Sequence, residues 1–103
     1  MVVAIYSTTS NIDNAKKIAR ILVKEKLVAC VNIIPKIESV YRWQNKIEED
    51  SECIIIAKTI DENIDKTIER ITQIHPYDVP DIVVLPIIKG LEKYLNYVKE
   101  ETK

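Results

Sequence analysis

Glycine occurs once in this chain of 103 residues, and so do histidine and tryptophan. A single glycine, Gly90, leaves no glycine-rich loop to cradle a phosphate. It also limits the entropy of the unfolded chain, and with abundant Ile, Lys and Glu it suits a stable protein. The two cysteines, Cys30 and Cys53, are too few for a disulfide framework and too far apart for a Cys-x-x-Cys pair; both are expected to be reduced thiols. Charge of one sign is also lacking. A formal net charge of −1 supplies no field to gather polyanions, so neither a nucleic acid nor an anionic membrane is an expected partner. No apolar run approaches the roughly 20 residues that cross a bilayer. Met1–Ile5 enters an apolar stretch with no basic region or cleavage site, and the expected location is the cytoplasm.

What is present is the composition of a folded protein, 47% hydrophobic and 30% charged, with length for one domain over residues 1–103. Val2–Tyr6 is a short apolar run. Ser10 is placed to cap a helix whose stripe includes Ala15, Ile18, Ala19 and Leu22. Leu27–Ile34 reads as a strand broken at Pro35, and Ile37–Trp43 resumes it. Gln44-Asn45-Lys46 is a turn, because Asn tolerates positive φ, and Ile47–Lys58 returns as the second arm of a long hairpin. Thr59-x-x-Glu62 has the form of a capping box before a helix striped by Ile64, Ile68 and Ile71. His75 continues that stripe, and Pro76 ends it. Asp81–Ile88 is a fourth strand, Gly90 turns the chain, and Leu91, Tyr94, Leu95 and Val98 mark a last helix. The order β-α-β-β-α-β plus a terminal helix predicts an α+β, ferredoxin-like split βαβ sandwich. Ile54-Ile55-Ile56 and Ile82-Val83-Val84-Leu85 are apolar on both strand faces. That plan puts both main helices on one face, so the other face is expected to meet a second subunit.

The segment His75-Pro76-Tyr77-Asp78-Val79-Pro80 gathers the only histidine, an aromatic hydroxyl and two of the four prolines. Histidine titrates nearest neutrality and is the commonest metal ligand. At a helix end on the apolar phase it equally suits a structural hydrogen bond. Cys30 and Cys53 lie in strands, where a thiol is either a small buried hydrophobe or a metal donor. The acidic run Glu48-Glu49-Asp50-Ser51-Glu52 suits hard cations, but alternation sends its carboxylates to opposite faces and it has no calcium-loop glycine. Tyr41 and Trp43 share a face that fits either a subunit contact or ligand stacking. Lys58 falls on one sheet face before a helix, placed to hold an anion or to reach water over a packed stem. Lys58, His75 and Tyr77, with Trp43 from a neighbouring subunit, are the candidate lining of a small-molecule cleft.

Several segments stand in a recognisable order and spacing: Glu25-Lys26-Leu27-Val28-Ala29-Cys30-Val31-Asn32, Tyr41-Arg42-Trp43, the acidic run, Ala57-Lys58-Thr59, the His75 segment, Leu85-Pro86-Ile87 with Gly90, and Tyr94-Leu95-Asn96-Tyr97. Over about Met1 to Glu101 the chain resembles the CutA family, the divalent-cation tolerance proteins. The resemblance implies a homotrimer in a PII-like assembly, in which three sheets pack together and the long hairpins pair between subunits. It implies a non-enzymatic cytosolic protein linked to tolerance of divalent metal ions, copper above all. Copper or another divalent cation is the implied cofactor, with none required for the fold. Copper donors in similar proteins would be a first-strand cysteine and two histidines before Pro-Tyr. Here those positions hold Tyr6 and Ile74-His75, so His75 remains a candidate ligand and Cys30 or Cys53 would substitute. The family pattern also has Gly where this chain has Asn45.

Two other function classes stand beside that one. A PII-like sensor would bind a small molecule at intersubunit clefts, an expectation by analogy of fold. An enzyme would use His75 as general acid or base, but no nucleophile–base pairing is visible. A copper chaperone on this plan needs two cysteines where the chain has Ser7-Thr8-Thr9-Ser10, and the glycine and aromatic signatures of an RNA-binding version are absent.

Overall fold

The computed structural model describes all residues from Met1 to Lys103. Four antiparallel strands, β1 (Val2–Thr9), β2 (Cys30–Trp43), β3 (Lys46–Ile60) and β4 (Ile82–Pro86), form one sheet in the order β2-β3-β1-β4. Helices α1 (Ile12–Lys24) and α2 (Ile64–Ile74) are the two crossovers, and α3 (Glu92–Glu101) follows β4. This is the split βαβ plan expected from the periodicity.

The helices bury one sheet face. Ile5, Cys53, Ile55 and Ala57 meet Ala15, Ile18 and Leu22 of α1 and Ile71 of α2 in one cluster. Alternation sends Tyr6, Ile54, Ile56, Val83 and Leu85 to the other face, where α3 covers one end through Val98, packed on Val2 and Ala29. The rest of that face is open, with Val83 46% and Leu85 49% exposed.

Several local expectations are corrected. Asn11, not Ser10, caps α1, its side chain accepting the Asn14 N–H at 2.9 Å, while Ser10 Oγ accepts from Asn14 Nδ2. Helix α1 ends in a Schellman motif: Leu27 N–H returns to Leu22 O and Lys26 N–H to Val23 O, with Lys26 at φ 59° where glycine is usual. Pro35 does not break β2. The strand runs through it, and the irregularity appears as a register shift between Ile34 and Ile37, the bulge that proline requires in a strand. The capping box does not form. Thr59 is the penultimate residue of β3, fully buried, and its hydroxyl donates to Leu27 O at 2.6 Å. Asn63 Nδ2 and Thr67 Oγ1 converge on the same carbonyl. Gly90 has no positive φ; what it supplies is room, since a Cβ there would stand 3.1 Å from Leu95 Cδ2.

The hairpin outruns the sheet. β1 pairs with Cys53–Ile60 only, so Ile37–Glu52 is a two-stranded ribbon. Gln44 and Asn45 both take positive φ at its tip, the geometry of a two-residue hairpin turn that matches strand twist.

Candidate functional site

The base of the ribbon, the start of the sheet's open face and the loop after α2 enclose a cleft of about 740 Å3. Its construction begins at His75. The residue leaves helical conformation at the end of α2 (φ −78°, ψ 140°) because Pro76 follows it. It is 9% exposed, and both ring nitrogens are engaged. Nδ1 accepts the Tyr77 N–H at 3.0 Å, so the proton sits on Nε2, which donates to Thr8 O at 2.8 Å. The imidazole therefore bridges β1 to the loop, with its ring 4.8 Å from that of Tyr77.

Tyr77 carries the connection onward. Its hydroxyl donates to Glu52 Oε2 at 2.8 Å, and burial, together with that carboxylate, pushes the phenol well above its ordinary range. Glu52 is 8% exposed and on β3 follows Asp50 by two residues, so alternation puts both carboxylates on the cleft side. Asp50 accepts from the Tyr41 hydroxyl, which pushes Tyr41 up to about 12. Asp78 and Asp81 of the loop and Glu38 of β2 add three more carboxylates.

The cleft brings together two of the expected lining residues, Trp43 and Tyr77, within one subunit. His75 supports Tyr77 from behind and does not line the cleft. Lys58 stands apart. Its ammonium donates to Asn32 Oδ1 at 2.7 Å and lies 3.9 Å from Cys30 Sγ and 5.6 Å from the Tyr94 ring centre. No anion-holding helix start is beside it, because Thr59 and Ile60 continue the strand. Sequence reasoning missed Asp50, Glu52, Asp78 and Asp81 as one group. The i, i+2 spacing of the first pair was the available signal; the second pair is contributed by the fold.

The metal candidates are not gathered. Cys53 lies in the helix-side core, its thiol donating to Pro35 O at 2.9 Å and its pKa raised by burial. Cys30 is half-buried on the opposite face, its sulfur 3.2 Å from the Tyr94 hydroxyl. No group of three or more His, Cys, Asp or Glu side chains converges to hold a metal ion anywhere in the chain. With both nitrogens of His75 committed, these residues do not fit a metal centre within one subunit.

The family model of the CutA1 divalent ion tolerance protein matches residues 3–101. A chloroplastic CutA protein of Arabidopsis thaliana is 44% identical over 101 residues, which are 98% of this chain and 56% of that one. The chain thus spans little more than half of that relative's length. The divalent-cation tolerance protein CutA of Thermus thermophilus is 44% identical over 95 residues, 92% of each chain. Among solved structures, a divalent cation tolerance protein of Thermus thermophilus superposes with a TM-score of 0.97 at 42% identity over the whole of both chains. The periplasmic divalent cation tolerance protein CutA of Archaeoglobus fulgidus does so with 0.97 at 35% identity, again over the whole of both chains. No helix of this chain is long and apolar enough to cross a membrane. By these matches the chain belongs to the CutA1 family of divalent ion tolerance proteins.

Proposed function

We propose that the protein works as a non-catalytic homotrimer of the cytoplasm, whose part in divalent-cation tolerance is exerted by binding and assembly rather than by turnover. The observation that carries this reading is the uncovered apolar face of the sheet, continued by the two-stranded ribbon. Val40 and Ile47 of the ribbon are 65% and 68% exposed, and an isolated two-stranded ribbon is at best marginal in water. The free edges of the sheet are β2 and β4. Joining one edge of a copy to the other edge of the next is a heterologous contact, which forms a ring where its rotation closes and an open filament where it does not. A ring of three brings three apolar faces to one axis and gives each ribbon a neighbour. Against catalysis, His75 has no free nitrogen, and the Cys30 thiol stands between the Tyr94 hydroxyl and the Lys58 ammonium with no histidine or carboxylate beside it. For direct capture of copper or another divalent ion, Cys30 is the proposed donor, being the one of the three candidates that is not buried.

The second reading, a sensor that binds a small molecule, is favoured by one observation: Trp43 and Tyr77 wall a single cleft of ligand size. Native mass spectrometry of the reduced protein, with and without Cu(I), Cu(II) and Zn(II), tests both. A trimer with a fixed metal count per subunit supports direct capture. A metal-indifferent trimer supports the sensor, and a monomer at micromolar concentration refutes the assembly.

A further inference from the structure

The two cysteines stand in opposite surroundings. Cys53 is buried in the helix-side core with its thiol on Pro35 O. Cys30 is half-buried on the other sheet face, at the end that the chain's own α3 covers. Its neighbours there are fixed by strand register. Cys30 and Lys58 are direct partners in the antiparallel pairing of β2 with β3, so their side chains leave the sheet on one face, with Cβ atoms about 5 Å apart. A slip of one residue would send Lys58 to the core side. The Lys58 ammonium lies 3.9 Å from Cys30 Sγ and donates to Asn32 Oδ1 at 2.7 Å. The Tyr94 hydroxyl of α3 stands 3.2 Å from the same sulfur.

A thiol that is not fully buried is open to small oxidants. Its first product, a sulfenic acid, is trapped reversibly by a second thiol or by a nitrogen that lies close enough to form a sulfenamide. A second thiol is not at hand, because Cys53 lies on the opposite face of the sheet. A nitrogen is. Lys58 Nζ is the one nitrogen within hydrogen-bonding distance of the Cys30 sulfur, and the register keeps it there.

We propose that Cys30 and Lys58 form a reversible redox switch, in which oxidation of the thiol by hydrogen peroxide is trapped as a covalent sulfur–nitrogen bridge between the two side chains. In the first step the sulfur attacks one peroxide oxygen and the O–O bond breaks, so that thiol and peroxide become sulfenic acid and water. In the second step the Lys58 nitrogen, its proton released, attacks that sulfur. The S–N bond forms, the S–O bond breaks, and the hydroxyl leaves as water. In sum, thiol, ammonium and peroxide give the bridge, two waters and one proton; sulfur loses two electrons and peroxide gains them. A dithiol reverses the bridge, restoring thiol and amine and leaving as its own disulfide. The bridge holds Cys30 short of the irreversible sulfinic acid. It also removes the Lys58 charge, so Asn32 Oδ1 and the Tyr94 hydroxyl lose their present partners.

The test uses the intact, reduced, metal-free protein in its solution oligomer, treated with hydrogen peroxide. Mass spectrometry follows the whole chain and, after digestion, the peptides that carry Cys30 and Lys58. The expected product is lighter by two hydrogens, with those two peptides linked, and dithiothreitol restores the starting mass. Lys58→Arg keeps the positive charge but offers no nucleophilic amine; it is expected to lose the link entirely and to gain oxygen at Cys30 instead. Lys26→Arg, in the exposed turn after α1, is expected to bridge as the parent does. Four results would overturn the proposal: a parent that does not react, a parent whose Cys30 gains oxygen and stays unlinked, a two-hydrogen loss that persists in Lys58→Arg, or a disulfide between copies.

Discussion

Replacing His75 separates a structural imidazole from a metal ligand. In His75→Ala the Tyr77 N–H and the Thr8 carbonyl lose their partners at 3.0 and 2.8 Å. A buried polar group left without a partner costs about 1–3 kcal/mol. Thr8 is buried and lies one residue beyond the last pair of β1 with β4, so its carbonyl has His75 where a strand neighbour would stand. Tyr77 is only half-buried, and its N–H is more easily rehydrated. The sum worked from these two sites is about 3 kcal/mol, a large part of the roughly 5–15 kcal/mol by which domains are stable. His75→Gln retains a side-chain amide able to donate to Thr8 O and loses the acceptor for Tyr77, so about half of that loss is expected. Urea unfolding at one fixed protein concentration, which holds any association term constant, gives the two differences. Copper(II) and zinc uptake per chain, measured on His75→Gln, is expected to equal that of the parent. A change below about 0.5 kcal/mol in His75→Ala, or a lost metal equivalent in a stable His75→Gln, would refute the structural role.

Thr9 is fully buried and its hydroxyl has no partner. Thr9→Val, which keeps the shape and the strand preference, should therefore raise stability by about 1 kcal/mol in the same assay, and a destabilised variant would reveal a partner for that hydroxyl. The tyrosines give a pH prediction. Tyr94 is pushed up to about 12 by its hydrogen bond to Cys30 and by burial, and Tyr41 to about 12 by Asp50, while Tyr77 lies higher for burial and Glu52. A phenol whose pKa is raised by folding stabilises the fold fully below its unfolded value near 10, and that contribution is lost as pH rises through the folded value. At pH 11 the absorbance of tyrosinate at 295 nm should fall short of the five-tyrosine plateau by most of the signal of three. A full plateau at pH 11 with native circular dichroism would contradict it.

The element order and the two crossover helices were legible because the apolar period changes cleanly between 2 and 3.6 along the chain. Local motifs were less legible wherever a distant group competed for the same atoms. Thr59 and Glu62 have capping-box spacing, yet the Thr59 hydroxyl goes to Leu27 O, 32 positions away, and that carbonyl also draws Asn63 and Thr67. Pro35 reads as a break only while β2 is considered alone; an edge strand absorbs it as a bulge. The cleft was less legible. Lys58, His75 and Tyr77 were expected to line it with Trp43 of a neighbouring subunit, whereas Trp43 and Tyr77 of one chain line it, His75 stands behind Tyr77, and Lys58 belongs to a separate group with Asn32, Cys30 and Tyr94.

The histidine segment joins fold and site by one chain of hydrogen bonds. Thr8 O accepts from His75, His75 accepts from Tyr77, and Tyr77 donates to Glu52. These links run from β1 through the loop after α2 to β3, so the position of a buried carboxylate in the cleft is set by the end of a helix. The same links explain why the one residue best suited to chemistry by its type is unsuited by its place. An imidazole that donates from one nitrogen and accepts at the other has neither a proton to give nor a lone pair to offer without dismantling the loop. The proposed assembly, which covers the open sheet face and the ribbon, answers what a single copy leaves exposed at Val40, Ile47, Val83 and Leu85.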